Sequence, residues 1–282
     1  MPELPEVETI RRDLRPLVAG RTITEAWVSP KAPRLVQLIP PDEFCRSLAG
    51  RTIQDVGRRG KYLLFELSPA AGGPASGGAG LTWIVHLRMT GSLQHHRSAC
   101  PDGPHLRARF RLDNGASLCY VDLRKLGTMW LIDDPSLVVG KLGPEPLDEA
   151  FGPQDLRALL RGRSAPVKAV LLDQGALAGI GNIYADEALF AAKVRPRRAA
   201  RTLSKGETQR LHAAIRRVLL EAMGNRGSSF RDYVDAAGRE GEHHLYVKVF
   251  RRTGRPCLDC GTPIRRIKVG GRSTHFCPKC QR

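Results

Sequence analysis

The amino terminus places a potential nucleophile beside two acids, in the order Met1-Pro2-Glu3-Leu4-Pro5-Glu6-Val7-Glu8. Removal of Met1 would make Pro2 the terminal residue and free its secondary amine from a peptide bond. A free α-amino group titrates near pH 8, so roughly a tenth to a fifth of it is neutral at pH 7. That fraction suffices for attack on an aldehyde-like carbon to give a Schiff base, a task otherwise given to a desolvated lysine. Glu3 and Glu6 are the nearby carboxyls able to donate or accept protons. Acids in a first helical turn also suit the helix dipole, so these eight residues alone leave both readings open.

A second chemical pattern closes the chain. Cys257-x2-Cys260 and Cys277-x2-Cys280 are separated by 16 residues. Two thiolate pairs across a hairpin-sized gap offer four soft ligands in tetrahedral geometry, which selects zinc. Disulfides, the alternative, are disfavoured by a reducing compartment and by an odd total of seven cysteines. A four-cysteine site is coordinatively closed, so one structural Zn2+ is expected, holding the fold and doing no chemistry. Between Arg251 and Arg282 stand nine basic residues and one acid, Asp259. The finger therefore reads as a phosphate-binding device, with Arg272 of the Gly270-Gly271-Arg272 turn as its contact. Cys45, Cys100 and Cys119 have no partner at metal spacing and read as buried or incidental.

Charge points the same way. Among 282 residues, 45 Lys and Arg stand against 28 Asp and Glu, a formal net charge of +17. Such a field attracts polyanions, nucleic acid first and an anionic membrane surface second. No apolar run approaches the roughly 20 residues of a membrane span, and the charged amino terminus lacks a signal-peptide core. A cytoplasmic or nucleoid protein follows, with enough chain for two or three cores.

The elements that must carry these residues divide into three stretches. Val7, Ile10, Leu14 and Leu17 recur at helical spacing with Arg11, Arg12 and Arg15 opposite, and Pro16 and Gly20 end that helix. Strands are then expected at 21–28, 51–56, 61–67, 81–89, 106–112, 116–121 and 128–132. Leu106, Ala108, Phe110 and Leu112 point inward and Arg107, Arg109 and Arg111 outward, with Asn114-Gly115 as hairpin turn. These strands predict an antiparallel β-sandwich carrying the amino-terminal helix. Ser68–Gly80, mostly Gly, Ala, Pro and Ser, reads as a flexible loop. Leu142-Gly143-Pro144-Glu145-Pro146 marks a boundary, after which helices are expected at 153–160, 164–172 (capped by Ser164), 182–192, 204–223 and 229–235. Ser204 and Glu207 form a capping box for the longest. Gly179-Ile180-Gly181 is no dinucleotide fingerprint, but a glycine turn opening on a helix makes an anion site, with Asn182 placed to cap or to bind. The expected division is a catalytic sandwich at 1–135, a linker and helical domain at 136–243, and a zinc finger at 244–282.

Taken together, P-E-L-P-E-V-E-T at the amino terminus, R-R-G-K-Y-L at Arg58–Leu63, H-L-R-M-T-G-S at His86–Ser92, L-G-P-E-P-L at Leu142–Leu147, G-I-G-N-I-Y at Gly179–Tyr184 and the four-cysteine finger resemble the formamidopyrimidine-DNA glycosylase family. These bacterial enzymes remove oxidised purines such as 8-oxoguanine from DNA. The resemblance covers nearly the whole chain. It implies a helix-two-turns-helix DNA-binding domain in the middle and a DNA cleft walled by the sandwich and the helical-plus-zinc lobe. The partner would be double-stranded DNA carrying oxidised bases or abasic sites, bound by a monomer. Pro2 would attack the sugar C1′, with Glu3 as the acid and Glu6 a supporting carboxylate. Lys61, His86, Asn182 and Arg272 match phosphate ligands, and Met89, Arg124 and Leu126 the set that fills the gap left by an extruded nucleotide. The usual residue at the last position is phenylalanine; Leu126 can wedge but cannot stack. Gly227–Phe250, where the family's base-covering loop falls, fits less well. The related endonuclease VIII type, which prefers oxidised pyrimidines, usually begins P-E-G-P-E, not P-E-L-P-E. A non-catalytic damage-binding protein would have no use for a free Pro2 beside Glu3.

Overall fold

A computed structural model describes residues 1–69 and 80–282, so most of the expected loop at Ser68–Gly80 lies outside the described residues. Contacts along the chain define two compact units: Met1–Gly140 with Arg226–Glu242, and Lys141–Asn225 with His243–Arg282. These cut the chain differently from the expected three-part division, because a late segment folds back into the first unit.

The first unit opens with helix α1, Leu4–Val18, whose Leu4, Val7, Ile10, Leu14 and Val18 are fully buried. Pro16 lies inside the last turn and does not end the helix there, and Leu17 is exposed while Val18 takes the core position. Next come β1 (Ile23–Val28), a helix α2 (Pro41–Leu48), β2 (Ile53–Arg59), β3 (Tyr62–Leu67), β4 (Leu81–His86), β5 (Gly91–His96), β6 (Leu106–Leu112), β7 (Ser117–Asp122) and β8 (Thr128–Ile132). The strands form two antiparallel four-stranded sheets, in the orders β1-β6-β7-β5 and β2-β3-β4-β8. Their inner faces share one core with α1, in which Trp83 stacks on Phe65 at 4.5 Å and meets Phe110 at 4.3 Å. The β6–β7 hairpin turns at Gly115, whose φ of +82° suits glycine.

Two elements of this unit escape pattern reading. Helix α2 buries only Phe44 and Leu48, but Pro41 and two acids give it a favourable first turn. Strand β5, Gly-Ser-Leu-Gln-His-His, has little strand character and owes its form to its pairing with β7. The predicted alternation in β6 fails at its first arginine: the register shifts between Leu106 and Ala108, and Arg107 is buried with its Nε on Asp122 O at 2.9 Å. Cys100 and Cys119, read as incidental, are joined by a disulfide across 19 positions, a pairing neither metal spacing nor the cysteine count suggests. Cys45 remains a thiol.

The second unit contains α4 (Pro153–Leu160), α5 (Val167–Leu172), α6 (Asn182–Ala191), α7 (Lys205–Gly224) and the hairpin β9 (Arg265–Val269) and β10 (Arg272–Phe276); a short α3 (Ser136–Val139) ends the first unit. Ser204 caps α7 by accepting from Glu207 N at 3.2 Å, and Glu207 returns a carboxylate to Ser204 N. Ser164 caps nothing: Pro166 forces Ala165 out of the helical region and α5 starts at Val167. The expected helix at 229–235 is an irregular, bent segment instead, whose Tyr233 hydroxyl donates to Glu6 O of α1 at 3.4 Å. No helix among the described residues is long and apolar enough to cross a membrane.

Candidate active site and zinc centre

Glu3 precedes α1, and its backbone N–H donates to Glu6 Oε2 at 2.7 Å. The other Glu6 oxygen accepts from Ser228 N at 2.8 Å. Glu3 and Glu6 are 3% and 1% exposed, and Pro2 is buried with them. A carboxylate fixed from both sides cannot swing away, so Glu6 locks the turn that carries Pro2 and Glu3. Gly227 is required here, since a Cβ on it would lie 2.8 Å from Glu6 Cγ and its φ is +80°.

Lys61 lies at the tip of the β2–β3 hairpin, where Gly60 at φ +57° supplies the first residue of a two-residue turn. Arg58 ties this tip to α1: its Nε donates to Glu8 Oε2 at 3.0 Å and its Nη1 to Gly60 O at 2.9 Å. Burial would raise the Glu8 carboxyl, but Arg11, Arg12 and Arg58 together pull it down to about 2. Glu8 therefore stays ionised and couples α1 to the hairpin of Lys61, a role that its sequence position does not reveal.

His86 ends β4 opposite Tyr62, whose ring meets it edge-on at 4.5 Å. Burial, reinforced by the charges of Arg88 and Lys61, lowers its imidazole to about 3. Its Nδ1 accepts from Arg88 N at 3.0 Å, which leaves the proton on Nε2. His86 can therefore meet a phosphate as a neutral donor and not as a cation.

Met89, Arg124 and Leu126 come together on two loops, with Arg124 Nη1 3.3 Å from Met89 Sδ. Met89 and Leu126 are 44% and 41% exposed, so neither is held in the core. Asp122, which the sequence did not single out, holds the loop: its fully buried carboxylate accepts from Arg124 N at 3.1 Å, Leu126 N at 2.9 Å, Gly127 N at 2.8 Å and the Thr90 hydroxyl at 2.5 Å. Backbone and side-chain donors converging on one acid pre-shape the exposed tip.

In the second unit Asn182 is the first residue of α6 and Gly181 the cap, so Asn182 caps nothing. Its Nδ2 donates to Ser273 O at 3.0 Å, beside Arg272, which follows the Gly270-Gly271 turn (φ +53° and +76°). The same Ser273 O accepts from Lys168 Nζ at 2.9 Å, and Lys168 pairs with Asp186 at 2.7 Å, both wholly buried. Asp186 also accepts from His275 N and faces His275 Nδ1. This ionic cluster fixes the hairpin of Arg272 on α5 and on α6, which carries Asn182; sequence reading missed it because the helix residues and their hairpin partners are 89 to 106 positions apart.

The four cysteine sulfurs lie within 4.8 Å of one another, with Cys260–Cys277 at 3.5 Å and Cys257–Cys280 at 3.9 Å. A tetrahedron with Zn–S bonds of about 2.3 Å has edges of about 3.8 Å, so the set fits one Zn2+. Cys277 N donates to Gln281 Oε1 at 2.8 Å and Gln281 Nε2 to Val194 O at 2.9 Å, while Phe190 and Val249 pack on the finger's apolar side. These contacts join the finger to the helical unit.

Three family models match in the order of these parts: the formamidopyrimidine-DNA glycosylase N-terminal domain at 1–129, the H2TH domain of the same enzymes at 142–233, and the zinc finger found in FPG and IleRS at 254–282. A formamidopyrimidine-DNA glycosylase from Moorella thermoacetica is 48% identical over 272 residues, covering 95% of each chain. One from Symbiobacterium thermophilum is 46% identical over 287 residues, covering 100% of this chain and 89% of the relative. Among solved structures, Lactococcus lactis Fpg with DNA containing an abasic site superposes with a TM-score of 0.88 at 37% identity over 99% of both chains. The same enzyme with DNA containing an oxidised pyrimidine gives 0.87 at 36% identity over 100% of both. With this coverage and these identities, the chain belongs to the formamidopyrimidine-DNA glycosylase family.

Proposed function

We propose that the protein is a bifunctional DNA glycosylase and abasic-site lyase that excises oxidised purines, 8-oxoguanine and formamidopyrimidines, from duplex DNA, with Pro2 as nucleophile. The observation that carries this reading is the Glu6 carboxylate, which holds the Glu3 N–H and so fixes the turn next to Pro2. After Met1 removal, the Pro2 nitrogen attacks C1′ and the bond from C1′ to the base breaks. Glu3 supplies the proton that assists ring opening and shuttles protons thereafter. The secondary amine gives an iminium, which acidifies the C2′ proton; its loss expels the 3′ phosphate, and a second elimination expels the 5′ phosphate. Chemistry at C1′ requires the nucleotide to leave the stack, at a cost of a few kcal/mol. Lys61, His86, Asn182 and Arg272 offset that cost through phosphate contacts. Met89, Arg124 and Leu126 fill the vacated space.

Borohydride trapping on an 8-oxoguanine·cytosine duplex, with mass spectrometry of the amino-terminal residue, tests the reading. A covalent adduct at Pro2 is expected. Tight lesion binding with Met1 absent and no adduct would remove the catalytic roles of Pro2 and Glu3. Parallel rates on thymine glycol separate purine from pyrimidine preference.

A further inference from the structure

Arg226 opens the late segment of the first unit, and its backbone has φ +57°, a left-handed conformation that costs a side-chain-bearing residue about 1 kcal/mol. The side chain gives it a use there. Its Nη2 donates to Asp13 of α1 and its Nε to Asp235 Oδ2 at 3.0 Å. Asp235 has no exposed side-chain surface and also accepts from the N–H groups of Ala237 and Arg239. Asp13 and Glu6 are seven residues apart on one face of α1, so the guanidinium and the Ser228 N–H seize the same face two turns apart. Between these two points the chain has no slack. The Tyr233 hydroxyl is 3.1 Å from Arg226 O and 3.4 Å from Glu6 O, and a Cβ on Gly241 would lie 2.3 Å from Arg226 O.

We propose that Arg226 is a positioning residue of the active site: by bridging Asp13 to Asp235 it seats Ser228 N–H on one Glu6 oxygen, and so fixes the carboxylate whose other oxygen holds Glu3. The inference rests on the catalytic reading of Pro2 and Glu3 above. Arg226 touches neither DNA nor the reacting atoms in this scheme; it acts through Glu6.

The test compares wild type, Arg226→Gly and Arg226→Lys in single-turnover base release from an 8-oxoguanine·cytosine duplex and in borohydride trapping on an abasic duplex. Glycine accepts the left-handed backbone and removes only the bridge; lysine returns a cation. Arg226→Gly is expected to slow both reactions about tenfold at saturating protein, the scale of a sub-ångström misplacement. Its affinity for undamaged duplex stays at the wild-type value, and Arg226→Lys recovers most of the rate. Wild-type rates from the glycine variant, a loss confined to duplex affinity, or a lysine variant as slow as glycine would each overturn the proposal. If the glycine variant does not fold, Asp13→Asn, which removes one anchor, takes its place under the same criteria. Absence of any adduct with wild-type protein would sink the Pro2 chemistry instead, and base release alone would then decide the role of Arg226.

Discussion

The Thr90 hydroxyl donates to Asp122 at 2.5 Å, joining the loop of Met89 to the loop of Arg124 and Leu126 through one buried acid. Asp122→Ala would take the acceptor from that hydroxyl and from the Leu126 and Gly127 N–H groups, and leave Arg124 N only its longer bond to Thr90 Oγ1 at 3.2 Å. The expected cost is about 2 to 4 kcal/mol, with loss of hydrogen-exchange protection at Leu126 and Gly127. Asp122→Asn, which keeps one acceptor oxygen, should lose less. Unchanged protection in the alanine variant would show that Asp122 does not shape the loop.

His86 is neutral across the physiological range, since its imidazole is lowered to about 3. His86→Gln, which can present an N–H where Nε2 stands, should keep more DNA affinity than His86→Ala. The ratio of the two should not change between about pH 5.5 and pH 8. A wild-type affinity that rises on acidification through the usual histidine range, and does so only when His86 is present, would show a cationic contact.

Glu8 contributes stability through a lowered pKa, from 4.5 to about 2. The contribution is complete above the ordinary carboxylate value and disappears as pH falls through the folded one. At about 1.4 kcal/mol per unit it is worth at most about 3 kcal/mol. The gap in unfolding free energy between wild type and Glu8→Gln should narrow by about 2 kcal/mol from pH 6 to pH 3. A gap independent of pH would mean that the three arginines do not favour the ionised form.

Stripping zinc should abolish DNA binding, because β9 and β10 carry Arg272 and the Ser273 carbonyl that holds Asn182. The three tryptophans, Trp27, Trp83 and Trp130, all belong to the first unit, so their emission should not change when a strong chelator is added. Binding that survives in zinc-free protein, or tryptophan emission that shifts with zinc loss, would contradict this separation.

What pattern reading recovers is local. Pro2, Glu3 and Glu6 are neighbours in sequence, the cysteine pairs carry their own spacing, and the capping box of α7 spans four residues. What it misses is carried by partners far apart: Arg58 on Glu8 across 50 positions, Arg124 and Thr90 meeting at Asp122, Lys168 on Thr274 across 106. Ionised groups in such places look like solvated surface charges until the fold pairs them. Helix periodicity also chose the wrong core residue in the last turn of α1, since Leu17 and Val18 are both apolar at helical spacing and only packing selects Val18.

The bond from Ser228 to Glu6 spans 222 positions. At synthesis rates of about 5 to 20 residues per second, Glu6 leaves the ribosome roughly 10 to 45 s before its partner exists. All eight strands of the two sheets can pair during that interval, yet Glu6 still lacks the Ser228 N–H. A nascent chain can thus acquire a folded sandwich well before the turn at its amino terminus is set, and translation of the Arg226–Glu242 segment is the step that sets it.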